Sequence, residues 1–115
     1  MKGKLGITRL IQMLRDFISH SEGTTTISIN EKDLAYNDGI LIEFDSILDE
    51  YKPNLIVLDL IYVHKMSSSA IGRLVNIHRY ITEENSLKLS IININQNILK
   101  TLKSVKVDGV LGIGN

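Results

Sequence analysis

The longest coherent pattern of apolar and polar positions runs from Leu55 to Ile81, LIVLDLIYVHKMSSSAIGRLVNIHRYI. Leu55, Ile56, Val57, Leu58, Leu60 and Ile61 form an apolar run broken only by Asp59. That pattern predicts a strand covered on both faces, as in the parallel sheets of α/β proteins. From Ser69 onward the period changes. Ile71, Leu74, Val75, His78 and Ile81 recur as one stripe of a helix. Between the two lie Met66, Ser67, Ser68, Ser69 and Ala70. A serine cluster at a strand-to-helix junction serves helix capping or carries a modification.

The same reading extends along the chain. Ile7, Leu10, Ile11, Leu14, Phe17 and Ile18 follow helical spacing, with Thr8 placed to cap the start. This predicts a helical extension over residues 1–23, ahead of a domain spanning 24–115. The apolar face of the extension covers its own sheet, or docks on a partner or a second copy, so a homodimer stays open. Thr24 to Ile29 is rich in β-branched residues and predicts a strand. Residues 30–33 are turn-like and 34–36 ambiguous. Ile40, Leu41, Phe44, Ile47, Leu48 and Tyr51 then mark a helix, with Asn37 or Asp38 as its N-cap. Glu43, Asp45, Asp49 and Glu50 fall on its solvent side. Pro53 stops this helix before the central strand. Leu87, Leu89, Ile91, Ile92 and Ile94 predict another strand, and Asn95 caps a last helix carrying Ile98, Leu99 and Leu102. After the turn at Asp108-Gly109, residues 110–113 read as a short edge strand. Strands alternating with helices imply an α/β domain with a mostly parallel sheet and helices packed against it.

Composition narrows the function. A chain of 115 residues supports one core. The 13 basic and 13 acidic residues balance, so there is no electrostatic footprint for nucleic acid. The absence of cysteine removes disulfides and thiolate chemistry. No apolar run approaches the ~20 residues of a membrane span, and no signal-peptide pattern opens the chain, so a cytoplasmic protein is expected. His20, His64 and His78 are widely spaced and form no recognisable metal pair. His64 lies beside the serines, but no third group or oxyanion motif accompanies it. Neither a phosphate-cradling loop nor a dinucleotide fingerprint is present. No catalytic residue, metal or cofactor is therefore assigned. Asp59, inside a strand, is expected to hydrogen-bond nearby backbone, since an unpaired buried carboxylate is expensive.

The serines carry the remaining signal. One of Ser67, Ser68 or Ser69 caps the helix that begins near Ala70, because its first amides need acceptors. Three in succession exceed that need. A phosphate at such a helix end meets unpaired N–H groups and the positive end of the helix dipole. On an exposed binding surface its charge would break a complex, which makes a binary switch.

At these residues the chain resembles the STAS domains of bacterial anti-sigma-factor antagonists. In that family a V-L-D-L-type strand end leads to a hydrophobic residue, then D-S-S-G or D-S-T-G, an apolar residue and a glycine. Met66 matches the hydrophobic position, Ser67 the aspartate and Ser68 the first serine. Ser69 matches the phosphorylatable serine, Ala70 the first glycine, Ile71 the apolar residue and Gly72 the second glycine. The resemblance extends from about Thr25 to Ile113, with residues 30–34 at the family's G-E-L-D position. It implies a non-enzymatic regulator that binds a GHKL-type anti-sigma factor and so frees a sigma factor. That partner is also the serine kinase, which phosphorylates Ser69 (Ser68 and Ser67 being the other candidates) and ejects the antagonist. A PP2C-like phosphatase resets the cycle. Ser67, Ser68, Gly72 and the expected exposed positions Arg73 and Asn76 would flank the contact surface. The alternative is a STAS scaffold or accessory subunit of a sensory or transporter complex without the switch.

Overall fold

The computed structural model describes residues 17–113, and the greater part of the expected amino-terminal helix, residues 1–16, lies outside them. A four-stranded sheet in the order β1-β2-β3-β4 forms the centre: β1 (Ile18–Ser21), β2 (Thr24–Ser28), β3 (Leu55–Asp59) and β4 (Lys88–Ile92). Strands β2, β3 and β4 are parallel, in register Thr24 with Leu55 and Leu55 with Lys88, so the expected mostly parallel α/β sheet is present. Antiparallel β1 extends it at one edge. Here the structure corrects the sequence reading, which carried the first helix through Phe17 and Ile18. The β1–β2 turn consists of Glu22 and Gly23, with φ of 51° and 82°. Positive φ at both central residues matches the right-handed twist of a two-residue hairpin. The hairpin therefore captures residues whose apolar spacing also suits a helix. His20 Nδ1 lies 2.6 Å from the Thr25 hydroxyl, and its ring stacks on Tyr51, which holds the edge strand in place.

Among the described residues four α-helices accompany the sheet: α1 (Glu31–Tyr36), α2 (Ile40–Tyr51), α3 (Ser68–Arg79) and α4 (Gln96–Ser104). A π-helical turn, Tyr80–Glu84, continues α3. One core gathers Ile27, Ile29, Ile56 and Leu58 from the strands with Phe44, Ile47, Leu74, Ile77, Ile98 and Leu102 from the helices. The alternate strand residues Thr24, Thr26, Leu55 and Val57 are only half-buried. Among the described residues the central strand is thus covered fully on one face and partly on the other, where its apolar run suggested full cover on both. Along α3 and its π-helical continuation the buried line is Ala70, Leu74, Ile77 and Ile81, while Ile71, Val75 and His78 sit at its half-buried margin. Residues 110–113 form turns instead of an edge strand. Leu111 N donates to Val107 O at 3.0 Å and Ile113 N to Asp108 O at 3.0 Å, and these local bonds let Leu111 enter the core. Among the described residues, no helix is long and apolar enough to cross a membrane.

The junction between α1 and α2 departs most from the sequence reading. Asn30 caps α1, its Oδ1 accepting from Asp33 N at 2.8 Å, in a stretch expected to be a turn. The N-cap position of α2 is Gly39, which has no side chain to offer. Asn37, expected to cap α2, instead braces the cap: its Oδ1 accepts from Gly39 N at 3.1 Å. Its Nδ2 donates to Glu43 Oε2 at 2.6 Å. Glu43, placed on the solvent side by spacing, is only 5% exposed. Burial pushes the Glu43 carboxyl above its ordinary value, against the Asn37 hydrogen bond and with help from the Asp33 charge. Burial raises Asp33 in the same way.

A carboxyl raised in the folded state binds its proton more tightly there than in the unfolded chain. Its contribution to stability is complete below the unfolded value of 4.5 and is lost as pH rises through the folded one. Glu43→Gln keeps an acceptor for Asn37 and removes the charge. The variant is expected to exceed the parent in stability at neutral pH, with the gap closing toward pH 4.5. Urea midpoints measured across that range check this, and parallel curves would refute it.

Candidate functional site

Strand β3 delivers the chain into a loop, residues 60–67, that ends at the serine cluster. Each part of the loop is tied down. Asp59 Oδ1 accepts from Ile61 N at 3.0 Å and from Asn93 Nδ2 at 2.9 Å, the backbone pairing expected of that carboxylate. Leu60 N donates to Ile92 O at 3.0 Å, and Val63 is buried in the core. Asn95 works twice. Its Oδ1 caps α4 by accepting from Ile98 N at 2.9 Å, while its Nδ2 donates to Val63 O and His64 O, both at 3.2 Å. From the first turn of α1, Glu31 Oε1 accepts from His64 N at 2.6 Å and Lys65 N at 3.2 Å. A loop held from three elements presents the next residues in a fixed attitude. Nothing in the local sequence marks Glu31, whose partners lie more than thirty residues away.

The serines then divide by role. Ser67 is the N-cap of α3: its backbone is extended and its Oγ accepts from Ala70 N at 3.2 Å. Aspartate performs the same capping, so a serine at the family's aspartate position keeps the helix start intact. Ala70 lies within α3 at helical φ and is 2% exposed, its methyl group packed in the core. The turn therefore needs no glycine there. Ser68 and Ser69 are exposed, and among the described residues their hydroxyls have no hydrogen-bond partner.

The remaining candidate positions fall on two sides of α3. Ser68, Gly72 and Asn76 border a shallow groove whose apolar floor is Ile71, Val75, Val105 and Val107. A Cβ built on Gly72 would meet nothing within 4 Å, so glycine there leaves the groove open and serves no packing need. Ser69 precedes Arg73 by one helical turn, on the flank between this groove and α1. There the structure corrects the expectation that Arg73 is exposed. Its side chain is 19% exposed and is spent within the fold. Arg73 Nε donates to Leu34 O at 2.7 Å, Nη1 to Asn37 O at 2.9 Å and Nη2 to Asp38 Oδ1 at 3.0 Å. The Leu34 carbonyl stands in the last turn of α1, where the helix supplies no donor, while Asn37 O also accepts from Ile40 N at 3.2 Å. His64 is exposed, and among the described residues no group of three His, Asp or Glu side chains is placed to hold a metal.

The division of labour among the serines has a direct consequence for stability. Ser67→Ala removes the cap and is expected to cost about 1 kcal/mol. Ser69→Ala, at an unpartnered exposed hydroxyl, stays within about 0.5 kcal/mol of the parent. Equilibrium urea unfolding compares them. Equal costs would mean that the cap is misassigned.

No protein-family model matches this sequence, and no curated protein matches it. Solved structures do. A serine-to-glutamate variant of Moorella thermoacetica RsbS superposes with a TM-score of 0.65, covering 85% of this chain and 84% of that one. The two sequences are 16% identical, so the likeness is one of fold. RsbS has the STAS fold. The chain described here has the STAS fold.

Proposed function

We propose that this protein is an anti-sigma-factor antagonist whose binding to a GHKL-type anti-sigma factor and serine kinase is switched by phosphorylation of Ser69. The observation that carries the reading is the separation of duties in the serine turn. Ser67 already supplies the cap, which leaves Ser69 exposed in the first turn of α3, without a hydrogen-bond partner among the described residues and just after a loop braced from three sides. A kinase can reach that hydroxyl without unfolding the helix. The similarity to RsbS supports a role among sigma-factor regulators.

The contact surface in this reading is the serine turn with Gly72 and Asn76 and the apolar groove beside them. Its floor of aliphatic side chains favours a partner that buries area there, and the bare Gly72 allows close approach. A phosphate on Ser69 adds nearly two negative charges at the rim of that contact. Charge that is solvated in the free protein would have to be desolvated in the complex. The domain acts as ligand and substrate, with the kinase supplying the chemistry and a PP2C-like phosphatase reversing it. Arg73 belongs to the support of this surface more than to the surface itself.

The test is a binding series against the co-purifying GHKL ATPase. Ser69→Ala is expected to bind as tightly as the parent, and Ser69→Asp at least about tenfold more weakly, a difference of about 1.4 kcal/mol. Equal affinity for the two variants would count against the switch. Recovery of a transporter ATPase in place of a GHKL protein would favour the accessory-subunit role.

A further inference from the structure

Phosphorylation of an exposed side chain usually acts where it is placed. In this fold a single side chain connects the candidate phosphoacceptor with a different part of the molecule. Ser69 and Arg73 are four residues apart on α3, so they lie on the same face, one turn from each other, with Cβ atoms about 5–6 Å apart. At present the Arg73 guanidinium faces α1. Two of its three acceptors, Leu34 O and Asn37 O, are neutral carbonyls. The third, the Asp38 carboxylate, is 96% exposed and therefore strongly screened. A phosphate on Ser69 would offer the same guanidinium three oxygens and nearly two negative charges, in the bidentate geometry that arginine matches best.

We propose that Arg73 is the intramolecular receiver of a phosphate on Ser69, and that its transfer from the end of α1 to that phosphate loosens the α1–α2 junction. This deepens the phosphoswitch reading and rests on it. The junction is vulnerable because Asn37 is its hub. The Asn37 carbonyl takes the Arg73 bond, its Oδ1 takes Gly39 N, and its Nδ2 holds buried Glu43. Gly39 contributes no side-chain cap to α2, so Asn37 is what braces the start of that helix. Helix α1 has six residues, too few to persist without tertiary support. Withdrawal of Arg73 leaves the carbonyls of Leu34 and Asn37 without their guanidinium donor. The hub then loses the bond that ties it to α3, and keeps only contacts local to the junction, among them Ile40 N on its carbonyl and its own N–H on Asp33 O.

The surface that answers the modification is thus larger than the serine turn. It reaches α1 and the start of α2, including Tyr36, which is 80% exposed. Ser68 provides an internal contrast. It borders the groove with Gly72 and Val75, away from α1. A phosphate there has no route to Arg73 and the junction should not respond.

Full-length protein carrying phosphoserine installed at position 69, at position 68 or at neither tests this by hydrogen exchange. With phosphate at 69, the amides of Asn37, Gly39, Ile40 and Glu43 are expected to exchange about fivefold faster, and with phosphate at 68 they should match the unmodified protein. In Arg73→Gln the same amides should exchange fast from the outset, with no further change on phosphorylation at 69. Unchanged exchange in the wild-type chain with phosphate at 69 would overturn the relay. So would an equal response to phosphate at 68. Both readouts use the isolated chain, so loss of the relay leaves the partner switch to its own binding test. Conversely, fast exchange without any loss of partner affinity would remove the switch and keep the relay.

Discussion

The Arg73 guanidinium holds the functional end of this domain together. It spans from the middle of α3 to the end of α1, satisfying two backbone carbonyls and one carboxylate with a single planar group. Helix α1 has no independent stability at six residues, and it is fixed at both ends by partners far along the chain. Arg73 holds its end, and Glu31 in its first turn holds the backbone of His64 and Lys65. The loop and the helix therefore order one another. Lysine could not replace the clamp, because an ammonium lacks the fork that reaches three acceptors at once.

This mutual support explains how an exposed serine turn becomes a defined surface. The loop between β3 and α3 has only Leu60 and Val63 buried, yet it is bonded from α1, from the end of β4 and from Asn95. Ser67 closes the helix start and Ala70 seals it from beneath. What remains outside is a pair of hydroxyls, a bare glycine and an apolar groove. The two substitutions relative to the STAS pattern, serine for aspartate and alanine for glycine, both fall at positions where the structure accepts them. Serine caps as aspartate does, and alanine occupies a helical site with room for its methyl group.

The parts of this arrangement that rest on local forces were legible in the sequence. The apolar run of β3, the change of period at the serines, the capping by one of the three serines and by Asn95, and the stop at Pro53 depend on neighbours within a few residues. The parts that were not legible depend on distant partners. Helix α1 looks like a turn because its fixing groups, Arg73 and the loop backbone, lie more than thirty residues away. Glu43 looks solvent-facing because the neighbouring α1–α2 junction, which covers it, has no signature in the spacing of α2. Ile18 suits a helical stripe as well as an edge strand, and only the Glu22-Gly23 turn decides between them. Arg73 was legible as important but not as internal: position alone shows a residue near the serines, and the direction of its side chain comes from α1.

The central claim is that Ser69 is a phosphoacceptor, and phosphosite mapping of protein isolated from its own cells tests it most directly. Trypsin cuts after Lys65 and Arg73, releasing the peptide MSSSAIGR, which contains Ser67, Ser68 and Ser69 and no other hydroxyl side chain. Fragmentation then assigns the phosphate to one position. The account predicts a phosphate on Ser69 in at least one state among growth, starvation and stress. A peptide that stays unmodified through all three would contradict it and leave a STAS scaffold that binds without a switch.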